Sequence, residues 1–162
     1  MANKVQKGRF TARMEGDFVV FIIGMRFNKL WKVHKWWGPF TAMPKMLREL
    51  QSHPDKGLLG ARMAVGGRTV TVVQYWRSFE HLEAFAKSTD DVHLPAWRAF
   101  NNKVGTSGDV GVYHETYRVA ANNFECVYSN MPVIGLAAAG EHVAIGRRSD
   151  AARQRMGVGV DA

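Results

Sequence analysis

Two stretches of the chain concentrate side chains able to do chemistry. The first reads His93-Leu94-Pro95-Ala96-Trp97-Arg98-Ala99-Phe100-Asn101, and the second reads Val110-Gly111-Val112-Tyr113-His114-Glu115-Thr116-Tyr117. Together they supply two imidazoles, an indole, two phenols, a guanidinium and a carboxylate. A histidine changes charge near neutral pH, so it can take up or release a proton there, and its neutral ring can ligate haem iron. Those groups suit an acid–base or redox site, without naming a substrate.

His93 lies between Asp91 and Pro95 at the entry to a short predicted helix. There it either projects into a cavity, as a base or an iron ligand, or caps the helix through backbone contacts. Trp97 and Phe100 would wall it on the apolar side, and Arg98 adds a donor. His114 is in phase with Val112 and Thr116 on a predicted strand, while Tyr113, Glu115 and Tyr117 face the other way. A His114–Glu115 dyad within the strand is therefore not expected. A buried unpaired polar group costs about 1–3 kcal/mol, so His114 either lines a cavity or is satisfied in a core or interface. Arg26, Asn28, Gln74, Tyr75 and Trp76 sit at strand ends, where polar groups commonly orient ligands. Arg26 either meets an anion or enolate or makes a surface ion pair. Trp31, Trp36 and Trp37, with His34 among them, fall in a predicted loop, where they would lid a substrate or close a dimer. His53, His81 and His142 have no zinc-ligand spacing.

The elements positioning these groups are legible in the pattern. Asp17 to Asn28 reads as a strand apolar in both phases, hence covered on both faces. Phe40 to Gln51 reads as a helix, with Met43, Met46, Leu47 and Leu50 on one stripe. Gly57–Met63 and Arg68–Trp76 read as a hairpin turning at Gly66-Gly67. Ser78 caps a helix that turns Phe79, Leu82, Phe85 and Ala86 inward. A short helix begins near Leu94, with Pro95 in its first turn. Asp109–Val119 and Phe124–Asn130 read as strands. Residues 1–14 are expected as a flexible arm, 15–146 as a single domain and 147–162 as a flexible tail. The order β-α-β-β-α-β, plus a C-terminal strand, is an α+β, ferredoxin-like split βαβ plan. Its helices cover one sheet face; the other is also apolar, and a second copy would cover it. The expectation is a homodimer, as a dimeric α/β barrel.

Composition narrows the classes. With 162 residues, 46% apolar and 22% charged, the chain suits one globular domain with a substantial core. Cys126 is the only cysteine, which excludes a disulfide framework within one chain and suits a reducing cytoplasm. The longest apolar run, Phe18 to Ile23, is far short of the ~18 residues of a membrane span, and the N-terminal MANKVQKGRF has no apolar run behind its charges. The net charge of +8 sits largely at the two ends and on Lys29, Lys32 and Lys35. It favours anionic partners, but there is no helix-turn-helix or zinc-finger spacing, and nucleic acid is not expected. GxGxxG after a strand, P-loop, HExxH, GxSxG and CxxC motifs are all missing, so dinucleotide, ATP and serine-hydrolase chemistries are unsupported.

Several longer strings resemble a known family: MRFNKLWKVHKWWGPFTAMPKMLREL, VQYWRSFEHLEAFAKS, HLPAWRAFN and VGVYHETYRV followed by ECVYSNMP. Over roughly Gly16 to Ala144 the chain is similar to a family of bacterial and fungal proteins named for a polyketide monooxygenase of the fumagillin pathway. The resemblance implies a dimeric α/β barrel. The wider fold group holds antibiotic-biosynthesis monooxygenases, haem-degrading monooxygenases and haem-containing aldoxime dehydratases, so it speaks to fold more than to chemistry. Phe85-Ala86-Lys87-Ser88 followed by His93 resembles the segment that carries the axial histidine in haem-degrading members, although the interval is shorter.

The resulting expectation is a monooxygenase-like oxidoreductase acting on a small apolar or conjugated metabolite inside the barrel. His93 or His114 would act as base, Arg26 or Trp76 would steady the anion, and Tyr75, Trp76, Trp97, Arg98 and Asn28 would bind substrate. The cofactor is either none or haem, in which case His93 is the axial ligand. A haem-dependent enzyme of aldoxime-dehydratase type and a non-catalytic small-ligand or haem binder are the alternatives.

Overall fold

The structure, a computed structural model, describes residues 4–88, 107–146 and 150–156. Its elements run β1 (Arg9–Arg13), β2 (Phe18–Phe27), α1 (Val33–Ser52), a 3-10 turn (Pro54–Lys56), β3 (Leu58–Gly66), β4 (Thr69–Trp76), α2 (Phe79–Lys87) and β5 (Val110–Val119). β6 (Tyr128–Ser129), α3 (Leu136–Ala139), β7 (Glu141–Ala144) and α4 (Ala152–Arg155) follow. The short helix expected near Leu94 lies outside the described residues.

The described strands form two antiparallel sheets. The larger has the order β3-β4-β2-β5, the ferredoxin-like arrangement in which the two outer strands are joined to the inner pair through the helices. Strand alternation decides which side chain meets which layer. Val19, Phe21, Ile23 and Met25 face α1 and α2 together with Val70, Val72, Gln74 and Trp76; Val19 and Trp76 close a buried cluster with Leu50, Leu82 and Phe85. Phe18, Val20 and Tyr75 face the other way, against Ala12, Leu136 and Ala137.

That second layer draws on the N-terminal segment. Arg9–Arg13 is the middle strand of a three-stranded sheet, β6-β1-β7, pairing Phe10 with Ala144 and Arg13 with Glu141. The chain thus covers part of the second face of its large sheet with its own termini. Phe124–Asn130, expected as a full strand, contributes only Tyr128–Ser129. In the expected tail, α4 anchors through Arg155, whose guanidinium reaches Glu125.

α1 begins seven residues before the expected Phe40. Gly38-Pro39 reads as a stop because proline removes a ladder hydrogen bond, yet the helix runs through both Pro39 and Pro44. Packing is the reason: Trp36, one turn before Phe40, lies on Phe27 with ring centroids 4.6 Å apart, and its Nε1 donates to Leu30 O at 3.1 Å. Ser78 caps α2 as expected, its Oγ accepting from the His81 backbone N–H.

Candidate functional site

Between the large sheet and its two helices lies a cavity of about 130 Å³. Phe21, Ile23, Met25, Val70 and Val72 form its floor, α1 contributes Phe40, Met43, Met46, Leu47 and Leu50, and α2 contributes Leu82 and Phe85. The size is close to that of an engineered apolar cavity of ~150 Å³ that stays dry and takes up benzene. Four of the lining side chains are methionines, Met25, Met43, Met46 and Met63. Their unbranched thioethers adapt to an occupant's shape and favour aromatic rings.

Among the described residues one polar side chain lines this cavity, Gln74. It is buried, and its orientation follows from its neighbour. Trp76 is completely buried, and its Nε1 donates to Gln74 Oε1 at 2.8 Å. An indole N–H can only donate, so the amide must turn its carbonyl toward Trp76, leaving the Nε2 donors for the cavity. The sequence placed Gln74 at a strand end but did not single it out. The signal was its phase: it alternates with Tyr75, so that Gln74 and Trp76 share the helix-side face while Tyr75 does not.

The candidate residues named from sequence divide between the two faces. His114 is on the cavity side: it pairs with Ile23 across the β2–β5 ladder and its ring lies 5.7 Å from that of Phe21. It is exposed, because β5 is an edge strand in this chain. Arg26 is exposed on the opposite face, where strand alternation puts it with Phe18, Val20 and Ile22, so one chain does not bring it together with His114. Tyr75 also faces away from the cavity and packs near Cys126 and Tyr128, where burial and Cys126 raise its pKa. Trp76 is a buried core residue that holds Gln74. Asn28 ties β2 to the start of β5, its Nδ2 donating to Gly108 O at 3.0 Å. His93, Trp97 and Arg98 lie outside the described residues. Trp36 is helix core, whereas Trp31 and Trp37 are exposed. Glu115 accepts from Tyr117 Oη at 2.7 Å on the face opposite His114.

A charged cluster gathers where the start of α1 meets the approach to β5. Lys29, Lys32 and Lys35 bring their Nζ atoms to 2.8, 2.8 and 2.9 Å from the carboxylate of Asp109, itself almost fully buried. Hydrogen bonds from Lys29, Lys32 and Lys35 hold that carboxyl well below the usual carboxylate range. The next residue, Val110, packs against Met25 of the cavity floor and against Trp36. Among the described residues no group of three or more His, Cys, Asp or Glu is arranged to hold a metal ion, and no helix is long and apolar enough to cross a membrane.

The sequence profile of the monooxygenase af470-like family matches residues 18–136. The chain belongs to that family. The match spans both cavity layers, from β2 through α1, β4 and α2 to β5. Among solved structures the chain is similar to an aldoxime dehydratase, OxdRE, in complex with butyraldoxime, at 16% identity and a TM-score of 0.59, over 93% of this chain and 43% of that one. It therefore spans less than half of that protein. It is also similar to SnoaB, a cofactor-independent oxygenase of Streptomyces nogalater, at 10% identity over 62% of this chain and 91% of that one, TM-score 0.44. A third likeness is to a putative antibiotic biosynthesis monooxygenase of Nitrosomonas europaea, at 9% identity over 67% and 94%, TM-score 0.43. No curated protein matches. Together with the strand order, family membership establishes the α+β, ferredoxin-like fold of the dimeric α/β barrel superfamily.

Haem is the cofactor that this fold group brings into question. It needs a pocket of cofactor size, about 300 Å³ or more, and an axial ligand. The cavity of about 130 Å³ is smaller, and among the described residues its lining includes no histidine, cysteine or tyrosine. The described lining of this cavity does not fit a haem; His93, the axial ligand expected from the sequence, lies outside the described residues.

Proposed function

We propose that this family member is a monooxygenase-like oxidoreductase that oxidises a small, apolar, conjugated metabolite held between α1, α2 and the sheet. The observation carrying the reading is an apolar, methionine-lined cavity whose one described polar group, Gln74, has its amide orientation dictated by a buried indole. Such a site receives a flat ring and meets a single carbonyl or enolate oxygen. The substrate supplies the electrons: a methylene beside a conjugated carbonyl loses a proton, and the resulting enolate reduces O2. One oxygen atom ends as a new carbonyl in the product and the other leaves as water, with both methylene hydrogens. Gln74 Nε2 donates to the enolate oxygen as its charge develops. His114, beside Phe21 at the cavity edge, accepts the proton. Arg26 is not given a part in this site, since its strand phase turns it away.

A second copy of the chain completes the assembly in this reading. β5 leaves Val112, Tyr113 and Tyr117 exposed along an edge strand, and pairing two sheets would cover them.

Oxygen consumption with conjugated phenols, anthrone-like ketones and polyenes is the test, run on wild type, Met46→Trp and His114→Ala. Wild type should consume one O2 per carbonyl formed. Met46→Trp, which fills the cavity, should abolish turnover, and His114→Ala should slow it without loss of fold. Binding of these compounds with no O2 uptake would replace the enzyme by a ligand-binding protein. A stoichiometric Soret band on titration with haemin would overturn the cofactor-free route. Sedimentation equilibrium tests the dimer.

A further inference from the structure

Four large apolar side chains stand in solvent along one short stretch: Leu30, Trp31, Val33 and Trp37 are 44, 74, 45 and 56% exposed. Single exposed apolar residues are ordinary, whereas a contiguous group marks a contact surface. Val33 and Trp37 are one turn apart on α1 and share a face. Leu30 and Trp31 make the turn before the helix, closed by the bond from Lys32 N to Lys29 O. Trp36 pins that turn to the helix, since its Nε1 donates to Leu30 O while its ring goes inward onto Phe27. Trp31 and Trp37 are held outward by the same packing.

Charge says what such a surface meets. From Phe18 through Arg48 the sequence has six Lys or Arg residues (Arg26, Lys29, Lys32, Lys35, Lys45 and Arg48) and no Asp or Glu, in a chain of net charge +8. Lys29, Lys32 and Lys35 alternate with the four apolar residues, and Asp109 fixes their positions. Arg48 is exposed and lies about three turns along α1 from Trp37, hence on the same face. A second copy seated patch against patch would bring these cations together, where like charges repel. An anionic bilayer suits both halves of the pattern. Indole rings settle at the headgroup level, with the ring among apolar chains and the N–H among polar groups. Lysine stems lie along apolar surface while their ammonium groups reach outward to phosphates. Tryptophan interleaved with lysine is the composition of a segment that lies in a membrane interface.

We propose that the turn before α1 and the exposed face of that helix dock the protein on the surface of an anionic lipid bilayer. Trp31 and Trp37 are the apolar anchors, and the lysines and Arg48 meet the headgroups. The protein lies on the bilayer and does not cross it. The proposal is independent of the substrate reading, since the cavity lining includes none of these side chains.

Vesicle flotation of the whole chain tests this, with vesicles of phosphatidylcholine alone and of phosphatidylcholine and phosphatidylglycerol in equal parts. Wild type should float with the anionic vesicles, stay behind with the neutral ones, and be released by added salt. Anionic vesicles carrying bromine-labelled acyl chains should quench its tryptophan emission. Trp31→Ser/Trp37→Ser should lower the partition about tenfold or more and remove most of the quenching, and Trp31→Ser alone should remove part of both. Arg48→Gln should cost about fivefold, the share of one basic residue at a charged surface. Val65→Ser, which removes an apolar side chain 70% exposed on β3, should change nothing. Far-UV circular dichroism establishes that the variants are folded. No flotation with anionic vesicles, or equal flotation with both kinds, would overturn the proposal. Flotation that Trp31→Ser/Trp37→Ser leaves unchanged would move the contact to another part of the chain, such as the basic ends, and overturn it too. A wild type that sediments without lipid as a larger species than Trp31→Ser/Trp37→Ser would make the patch an interface between copies, and overturn the lipid.

Discussion

Removing the acceptor beneath the buried indole should uncover how tightly the cavity's polar group is built in. Gln74→Leu leaves Trp76 Nε1, now bonded to Gln74 Oε1 at 2.8 Å, with no partner in a residue that has no solvent exposure. A buried donor stranded in this way costs about 1–3 kcal/mol, offset in part by the added apolar contact of leucine. With a urea m-value of about 1–3 kcal/mol/M for a small domain, the midpoint should fall by about 1 M. Trp76→Phe removes the donor instead and also leaves a small void, so its own cost is mixed. The double variant Gln74→Leu/Trp76→Phe has neither partner left to strand. It should therefore cost less than the two singles together, with a coupling of about 1–2 kcal/mol. Urea unfolding followed by far-UV circular dichroism measures all four corners. A coupling under about 0.5 kcal/mol, within the range expected of independent sites, would refute the argument that the indole orients the amide.

Other perturbations address the surrounding structure. The Asp109 carboxyl is held below its unfolded pKa by Lys29, Lys32 and Lys35, so its contribution to stability is full above about pH 4. It is lost progressively as the pH falls below that value toward the folded pKa. Asp109→Asn should flatten the pH dependence of stability below pH ~4, measured by urea midpoints; an unchanged acid slope would contradict the cluster. A Cβ on Gly24 would stand 2.1 Å from the ring of Tyr113, which lies across Gly24 and bonds Thr71 Oγ1 at 2.9 Å. Gly24→Ala should therefore destabilise by about 1–2 kcal/mol. In a Tyr113→Ala background the same change should stabilise by about 0.5–1 kcal/mol, as alanine does over glycine within a strand, and failure of the sign to reverse would refute the contact. Ser78→Ala removes the α2 cap and should lower stability by about 1 kcal/mol, read as a drop of several degrees in Tm. Burial, with Cys126 beside it, pushes the Tyr128 phenol up to about 12. Stability should then decline as the pH rises from ~10 toward that value, and Tyr128→Phe should remove this part of the decline.

The readable parts of the site are those governed by neighbours in the chain. Alternation along Val70 to Trp76 separates Gln74 and Trp76 from Tyr75 without any coordinates, and it separates His114 from Glu115 in the same way. What it leaves open is which face carries the cavity, since β2 is apolar in both phases; Arg26 was placed beside the cavity for that reason. The start of α1 was missed because Gly38 and Pro39 are local signals for a stop. The contacts of Trp36 with Phe27 and Phe40, which outweigh them, depend on a strand earlier in the chain. Lys29, Lys32 and Lys35 were visible only as a basic group.

By itself, then, the sequence determined the order of elements from β2 through α2 to β5, the ferredoxin-like plan, the capped α2 and the apolar stripe that roofs the cavity. Each follows from periodicity and from backbone preferences acting over a few residues. Tertiary structure alone decided that Arg9–Arg13 would become a strand against β7, and that Gln74 would be the cavity's described polar group. It also brought Asp109 to Lys32, 77 residues away. The reason is physical: pairing of distant strands and burial of distant charges carry energies that no local window contains, and they take effect only once the sheet has brought both partners out of water together.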